Sequence, residues 1–280
     1  MLRASPVRVL DDRDLSVVLA ILARDPIANV FVQSRVEATG IQPWRLGAEL
    51  WGHMVDGEVS GLCYAGANLV PIEGDGQALR AFAERARRHG RRCSSIVGPE
   101  RLVAPLWQLL EPAWGAARDV RPRQPLMLAD APPDVAPDPE VRLVRMDEID
   151  VLLPASVAMF TEEVGISPVA GDGGALYRAR VTELVQAGRS FARIEGGRVL
   201  FKAEVGAVTT AACQVQGVWV DPPLRGQGLS VAGMATVVQE CLRDLAPAVT
   251  LYVNDFNLAA RRSYERVGFR NVGTFMSVLF

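Results

Sequence analysis

From residue 229 onward, Val231, Met234, Ala235, Val238, Cys241, Leu242 and Leu245 recur every three or four positions. That is the period of a helix with one buried face, and Pro247 stops it. Before it lie three runs rich in β-formers, residues 190–194, 199–205 and 212–220. The first two flank Glu195-Gly196-Gly197-Arg198, whose glycines suit a hairpin turn. After it the pattern predicts a strand over 250–253, a helix over 257–267 closed by Gly268, and a last strand over 273–280. Upstream, 141–144 reads as a strand and 147–160 as a helix. A Gly/Pro-rich loop over 164–174 and a helix over 175–187 follow. The order is βααβββαβαβ.

The first half echoes this order. Val7-Arg8-Val9-Leu10 resembles Val141-Arg142-Leu143-Val144, and an acidic helix start follows both. Strands over 51–55 and 59–64 flank Asp56-Gly57, a hairpin signal. A helix over 77–89, a strand over 94–97, a helix over 100–111 and a strand over 125–129 complete the half. A decayed internal duplication is expected. Between the halves, residues 131–139 hold four prolines, which can neither join a sheet nor continue a helix. The expected division is 1–130, a linker over 131–139, and 140–280. Each half is long enough for its own core.

Composition narrows the classes. Of 280 residues, 49% are hydrophobic and 22% charged, which excludes disorder. The net charge of −2 supplies no basic excess for nucleic acid phosphates. The arginines of 85–92 close a predicted helix, where cations favour the C-terminal dipole. One lysine, Lys202, stands against 29 arginines, which reads as the codon usage of a GC-rich genome. No apolar run reaches the roughly 18–20 residues that span a bilayer. Residues 1–6 lead straight into a charged segment, so a cytoplasmic protein without a signal peptide is expected. Cys63, Cys93, Cys213 and Cys241 lie far apart in apolar contexts, the pattern of buried thiols. With His53 and His89 the only histidines, no metal site is expected and a histidine-based triad is disfavoured.

The strongest chemical signal runs from Val218 to Ser230: Val218-Trp219-Val220, the turn Asp221-Pro222-Pro223-Leu224, then Arg225-Gly226-Gln227-Gly228-Leu229-Ser230 opening the helix. Free backbone N–H groups and about half a positive charge collect at such a helix start. Glycines let a pyrophosphate approach them. It is neither a Walker loop nor Gly-x-Gly-x-x-Gly. In this context the segment resembles the acetyl-CoA loop of the GCN5-related N-acetyltransferase (GNAT) superfamily, Arg/Gln-x-x-Gly-x-Gly/Ala. Arg225, Gly228 and Ser230 fill its places, with Ser230 departing from Gly/Ala. Asn257-Leu258-Ala259-Ala260 through Tyr264 to Gly268-Phe269 fits the family's Asn-x-x-Ala-x-x-x-Tyr-x-x-x-Gly-Phe. The match covers about residues 140–280. The whole chain resembles a two-part actinobacterial-type subgroup with an uncharacterised N-terminal domain, through 66–71 and 94–99.

The resemblance implies an α/β protein of tandem GNAT-like domains, each a mixed, mostly antiparallel sheet flanked by helices, the N-terminal copy degenerate. It implies acetyl-CoA as co-substrate and a primary amine as acceptor, a protein N-terminus, a lysine side chain or a small amine; the extra domain, which could supply a wide groove, slightly favours a protein or peptide amine. Val218, Trp219 and Val220 would hold the fourth strand, where it splays from the fifth and pairs with pantetheine. A backbone N–H near Val218 or Trp219 would stabilise the tetrahedral oxyanion. Arg225 through Ser230 would bind the pyrophosphate. Asn257 and Ala260 would sit at the start of the tyrosine helix, and Tyr264 would protonate the departing thiolate. The base is less determined. Relatives often carry glutamate on the fifth strand where Tyr252 stands here. Glu204 is the favoured candidate, with Glu162 and Glu163 as others and Asp221 read as a turn residue. In the first half the corresponding junction carries Glu73 and Asp75, which would repel a pyrophosphate, so that half is expected not to catalyse. The alternatives are an acyl-CoA-binding or sensory module without turnover, and a transferase acting on a small amine or carrying another acyl group. Nucleic acid and membrane partners are not expected, and the oligomeric state is not legible.

Overall fold

The computed structural model describes residues 6–170 and 173–280. The N-terminal reading of residues 1–5, and residues 171 and 172 of the expected loop, lie outside the described residues. The chain forms two compact units. The first comprises the described residues up to Leu126 with Tyr252–Phe256 and Asn271–Phe280. The second is Met127–Leu251 with Asn257–Arg270.

The first unit begins with β1 (Val7–Val9), α1 (Leu15–Leu22), α2 (Val30–Thr39) and α3 (Pro43–Leu46). Then come β2 (Glu49–Val55), β3 (Glu58–Ala65), β4 (Asn68–Glu73), α4 (Gly76–His89), β5 (Ser95–Pro99), α5 (Glu100–Trp114) and β6 (Asp119–Ala129). β1 through β4 pair antiparallel in sequence. Asp56 and Gly57 both take positive φ at the β2–β3 turn, as a tight hairpin requires. β4 was not expected, because Pro71 lies inside it. The strand tolerates the proline beside a register shift in β3, between Leu62 and Cys63. α2 was also unexpected: apolar and polar residues are mixed around it, so periodicity does not reveal it. Two cores fill the unit. One, around Phe82, Leu106 and Ile96, lies under α4 and α5; the other, around Ile21, Leu46 and Leu62, lies under α1 to α3.

The second unit runs β7 (Arg142–Leu143), α6 (Ile149–Val164), α7 (Ala175–Gln186), β8 (Ser190–Glu195), β9 (Arg198–Val208), β10 (Cys213–Val220), α8 (Leu229–Asp244), β11 (Val249–Tyr252) and α9 (Leu258–Val267). β12 (Arg270–Leu279) ends the chain. This is the order read from the pattern, with α6 extending four residues beyond the expected 160. β7 to β10 pair antiparallel, and β10 pairs parallel with β11.

The last strand differs from the expected 140–280 grouping. From Phe275 to Leu279 it lies antiparallel to β5, in the first unit. In turn the end of β6, Met127–Ala129, belongs to the second unit, where Thr250 Oγ1 donates to the Met127 carbonyl at 3.0 Å. The two units share a further device. β4 pairs in parallel with β5 only at Asn68/Ser95 and Leu69/Ile96, and β10 with β11 only at Cys213/Val249 and Gln214/Thr250. Beyond those pairs the strands part. All four cysteines are buried free thiols. No helix among the described residues is long and apolar enough to cross a membrane.

Candidate active site

Where β10 leaves β11, its backbone changes character. Between Gln216 and Trp219 its pairing with β9 slips, and Gly217 takes φ +61°. A bulge of this kind bends the strand and frees backbone groups from the ladder. Val218, Trp219 and Val220 are half-buried there, while Cys213 to Val215 before them are buried.

Pro222–Leu224 then makes a turn of 3-10 helix, and Arg225 to Gly228 lead exposed into α8. Gly226 and Gly228 take φ +78° and +87°, a region where a Cβ is strained. Gly228 is the residue that caps α8, and it makes no side-chain cap. The amides of Leu229 and Ser230 therefore head the helix with its dipole behind them. The corresponding helix of the first unit is closed. Asp75 Oδ1 accepts from the Gln77 and Ala78 amides, both at 2.9 Å. A carboxylate thus occupies in α4 the position that α8 leaves free.

Arg225 is engaged at the foot of the loop. Its Nε donates to the Val220 carbonyl at 3.0 Å, and a terminal nitrogen donates to Glu162 Oε2 at 2.8 Å. Trp219 Nε1 reaches Glu162 Oε1 at 3.2 Å. Glu162 therefore pins the loop to α6. The Arg225–Glu162 pair is about half exposed, and such pairs are worth about 0–1 kcal/mol. Exchanging the carboxylate for a phosphate oxygen costs little. Gln227 donates to the Pro223 carbonyl at 3.3 Å and steadies the same turn. Asp221, read as a turn residue, is buried and ion-paired with Arg198.

α9 carries Tyr264. Asn257 starts the helix: its Oδ1 accepts from the Ala260 amide at 3.1 Å, so both residues serve the cap. Tyr264 is buried and packs against Phe269 at 5.9 Å between ring centroids. Burial, with the nearby Glu163 charge, pushes its phenol well above the usual tyrosine range. It stays protonated throughout the physiological range. Tyr177, on α7, donates to the Ser156 carbonyl at 2.8 Å. Burial raises its phenol too, with Glu204 and Glu163 adding to the shift.

Glu204 and Lys202 show what codon usage concealed. Lys202, the chain's one lysine, is fully buried. Its ammonium donates to Glu204 Oε2 at 3.1 Å and to the Gly217 carbonyl at 3.0 Å. Gln216 Nε2 donates to Glu204 Oε1 at 3.1 Å. A buried cation thus ties the bulge in β10 to the carboxylate on β9. The signal was present as a lone lysine two residues from a glutamate, on one face of an apolar strand. Tyr252 ends β11, partly exposed. Among the described residues no cluster of three or more His, Cys, Asp or Glu side chains is placed to hold a metal.

Residues 182–269 match the model of the Acetyltransferase (GNAT) family, and residues 48–152 that of a domain of unknown function, DUF4081. No curated protein matches the sequence significantly. Solved structures resemble the chain over nearly its whole length. A GCN5-related N-acetyltransferase from Sphaerobacter thermophilus is 18% identical at TM-score 0.59, over 97% of this chain and 93% of its own. A GNAT-family acetyltransferase from Colwellia psychrerythraea is 13% identical at TM-score 0.56, over 98% and 99%. A tandem GNAT protein from the clavulanic acid biosynthesis pathway is 16% identical at TM-score 0.55, over 98% of each chain. With the open helix start behind Gly228 and the parted β10 and β11, residues 182–269 are an acetyltransferase domain of the GNAT family preceded by a DUF4081 domain, and the chain is an N-acetyltransferase whose co-substrate is acetyl-CoA.

Proposed function

We propose that the second unit transfers acetyl from acetyl-CoA directly to a primary amine, of which a protein or peptide N-terminus is the favoured form. The observation that carries this reading is the uncapped, exposed start of α8 beside the parting of β10 and β11. Backbone amides from Gly226 to Ser230, with Arg225, hold the pyrophosphate. The free edge of Val218 to Val220 pairs with the pantetheine arm as an added strand would. An amide of that edge stabilises negative charge growing on the thioester carbonyl. The amine nitrogen bonds to the carbonyl carbon as the carbon–sulfur bond breaks. Tyr264 gives its proton to the departing thiolate, and Glu204 takes the proton the amine loses. A phenol kept protonated by burial suits the first task.

Acetyl-CoA at 100 times its Kd is expected to stabilise the fold by about 2.7 kcal/mol, read as a rise in melting temperature. Gly228→Asp, which sets a carboxylate at the open start of α8, is expected to weaken acetyl-CoA at least tenfold and to remove most of that rise, while Gly228→Asn, which carries the same strain at φ +87° without the charge, should lose much less. A variant that melts and saturates like wild type would place the pyrophosphate elsewhere.

Glu204→Gln is expected to lower kcat and to displace the rate–pH profile upward, since solvent must then deprotonate the amine. Initial rates from pH 6 to 10 measure this. An unmoved profile would transfer the role to Glu163, whose charge reaches both Tyr264 and Tyr177.

A further inference from the structure

The first unit contains a cavity of about 340 Å³ that acetyl transfer does not use. It lies where three stretches left without a role in that chemistry converge: the arginine-rich end of α4, the segment from Gly66 to Leu69, and Cys93 before β5. Voids in protein interiors rarely exceed one water, and this volume is in the range of small-molecule sites. The cavity is also distinct from the parting of β4 and β5. It touches Leu69, where those strands still pair, whereas the parting begins after that pair.

Its chemistry is specific. Trp51 and Trp114 supply aromatic wall, and Ala48, Ala65 and Leu69 supply aliphatic wall. The lining carboxylate, Glu49, is already neutralised. Trp51 Nε1 donates to its Oε2 at 2.6 Å and Arg85 at 3.2 Å, while the Arg85 guanidinium lies 5.1 Å from the Trp51 ring centre. Burial pushes the Glu49 carboxyl upward, but these two bonds outweigh it and hold the group below its ordinary value. Among the described residues, the charge left without such a partner on the wall belongs to Arg92, exposed beside His89 and Gly90. Of its neighbours along the chain, Arg88 pairs with Glu84, and Arg91 donates to the Cys93 carbonyl at 3.3 Å and lies over the Phe280 ring. The Trp114 indole N–H is buried with no acceptor among the described residues. Aromatic walls, a cationic rim and an unmatched donor call for a flat apolar body with an anionic end.

We propose that this cavity binds a small aromatic carboxylate, its ring against the tryptophan walls and its carboxylate toward Arg92. This goes beyond acetyl transfer and does not depend on it. The test uses the full chain and 1-naphthoate as probe, with 1-naphthalenemethanol as the neutral counterpart, followed by tryptophan fluorescence and calorimetry. One saturable naphthoate site per chain is expected, unaffected by excess acetyl-CoA. Arg92→Gln alters an exposed residue and leaves the fold intact. It should weaken naphthoate about tenfold and leave the alcohol unchanged. Ala65→Leu, which fills the cavity, should weaken both at least tenfold. No saturation at millimolar naphthoate, displacement by acetyl-CoA, or an Arg92→Gln variant that binds naphthoate like wild type would each overturn the proposal.

Discussion

Replacing Tyr264 by phenylalanine is expected to lower kcat about 100-fold or more, within the range for a lost general acid, while the KM for acetyl-CoA stays within about twofold. Two features set this expectation. The phenol is buried on α9, so removing one oxygen leaves the packing against Phe269 in place. Burial and Glu163 also raise its pKa, so the donor remains protonated well past neutral pH. The wild-type profile should therefore show no loss of activity from tyrosine ionisation below about pH 10, the ordinary tyrosine value. Steady-state rates of thiol release across pH measure both results. A phenylalanine variant that turns over normally would remove Tyr264 from the chemistry, and a KM change alone would make it a binding residue.

The second large effect is on stability. Lys202→Met is expected to destabilise the fold by about 3–5 kcal/mol, the usual result of leaving a buried charge without its partner. Lys202 is fully buried, and its ammonium holds both Glu204 and the Gly217 carbonyl. Removing it strands a carboxylate whose remaining partner among the described residues is Gln216. The paired change Lys202→Met/Glu204→Leu should recover most of the loss, because two apolar groups need no compensation. Urea unfolding of the two variants decides it. If the double variant is no more stable than the single one, the loss comes from packing around the bulge rather than from charge.

Much of the local structure around the candidate site is legible in the sequence. Gly226 and Gly228 lie where a strand-forming run meets a helical period, and that local grammar already predicts the turn and the helix start that the structure has. Asn257 before Ala260 reads as a cap and is one. Asp75 reads as a repelling charge, and the structure adds that it occupies the amides directly. Glu162 and Glu163 read as candidate bases in a loop that shapes acceptor sites in the family, and the structure places both on α6 instead. The two bonds of Glu162, to Arg225 and Trp219, come from residues 57 or more positions away, and no pattern along the chain records them.

The same distinction separates the two levels across the molecule. Periodicity, turn residues and caps act over a few neighbouring residues. Residue order therefore suffices for the βααβββαβαβ succession, the two-fold repeat and the open helix start. Strand neighbours, buried ion pairs and cavities depend on which distant segments the cores bring together. Only the folded chain assigns the last strand to β5, couples the lone lysine to Glu204, and gathers Trp51, Arg92 and Trp114 around one cavity. The physical reason is that burial in water rewards many partnerships of similar chemistry. The choice among them is made by tertiary packing rather than by the local preference of any one segment.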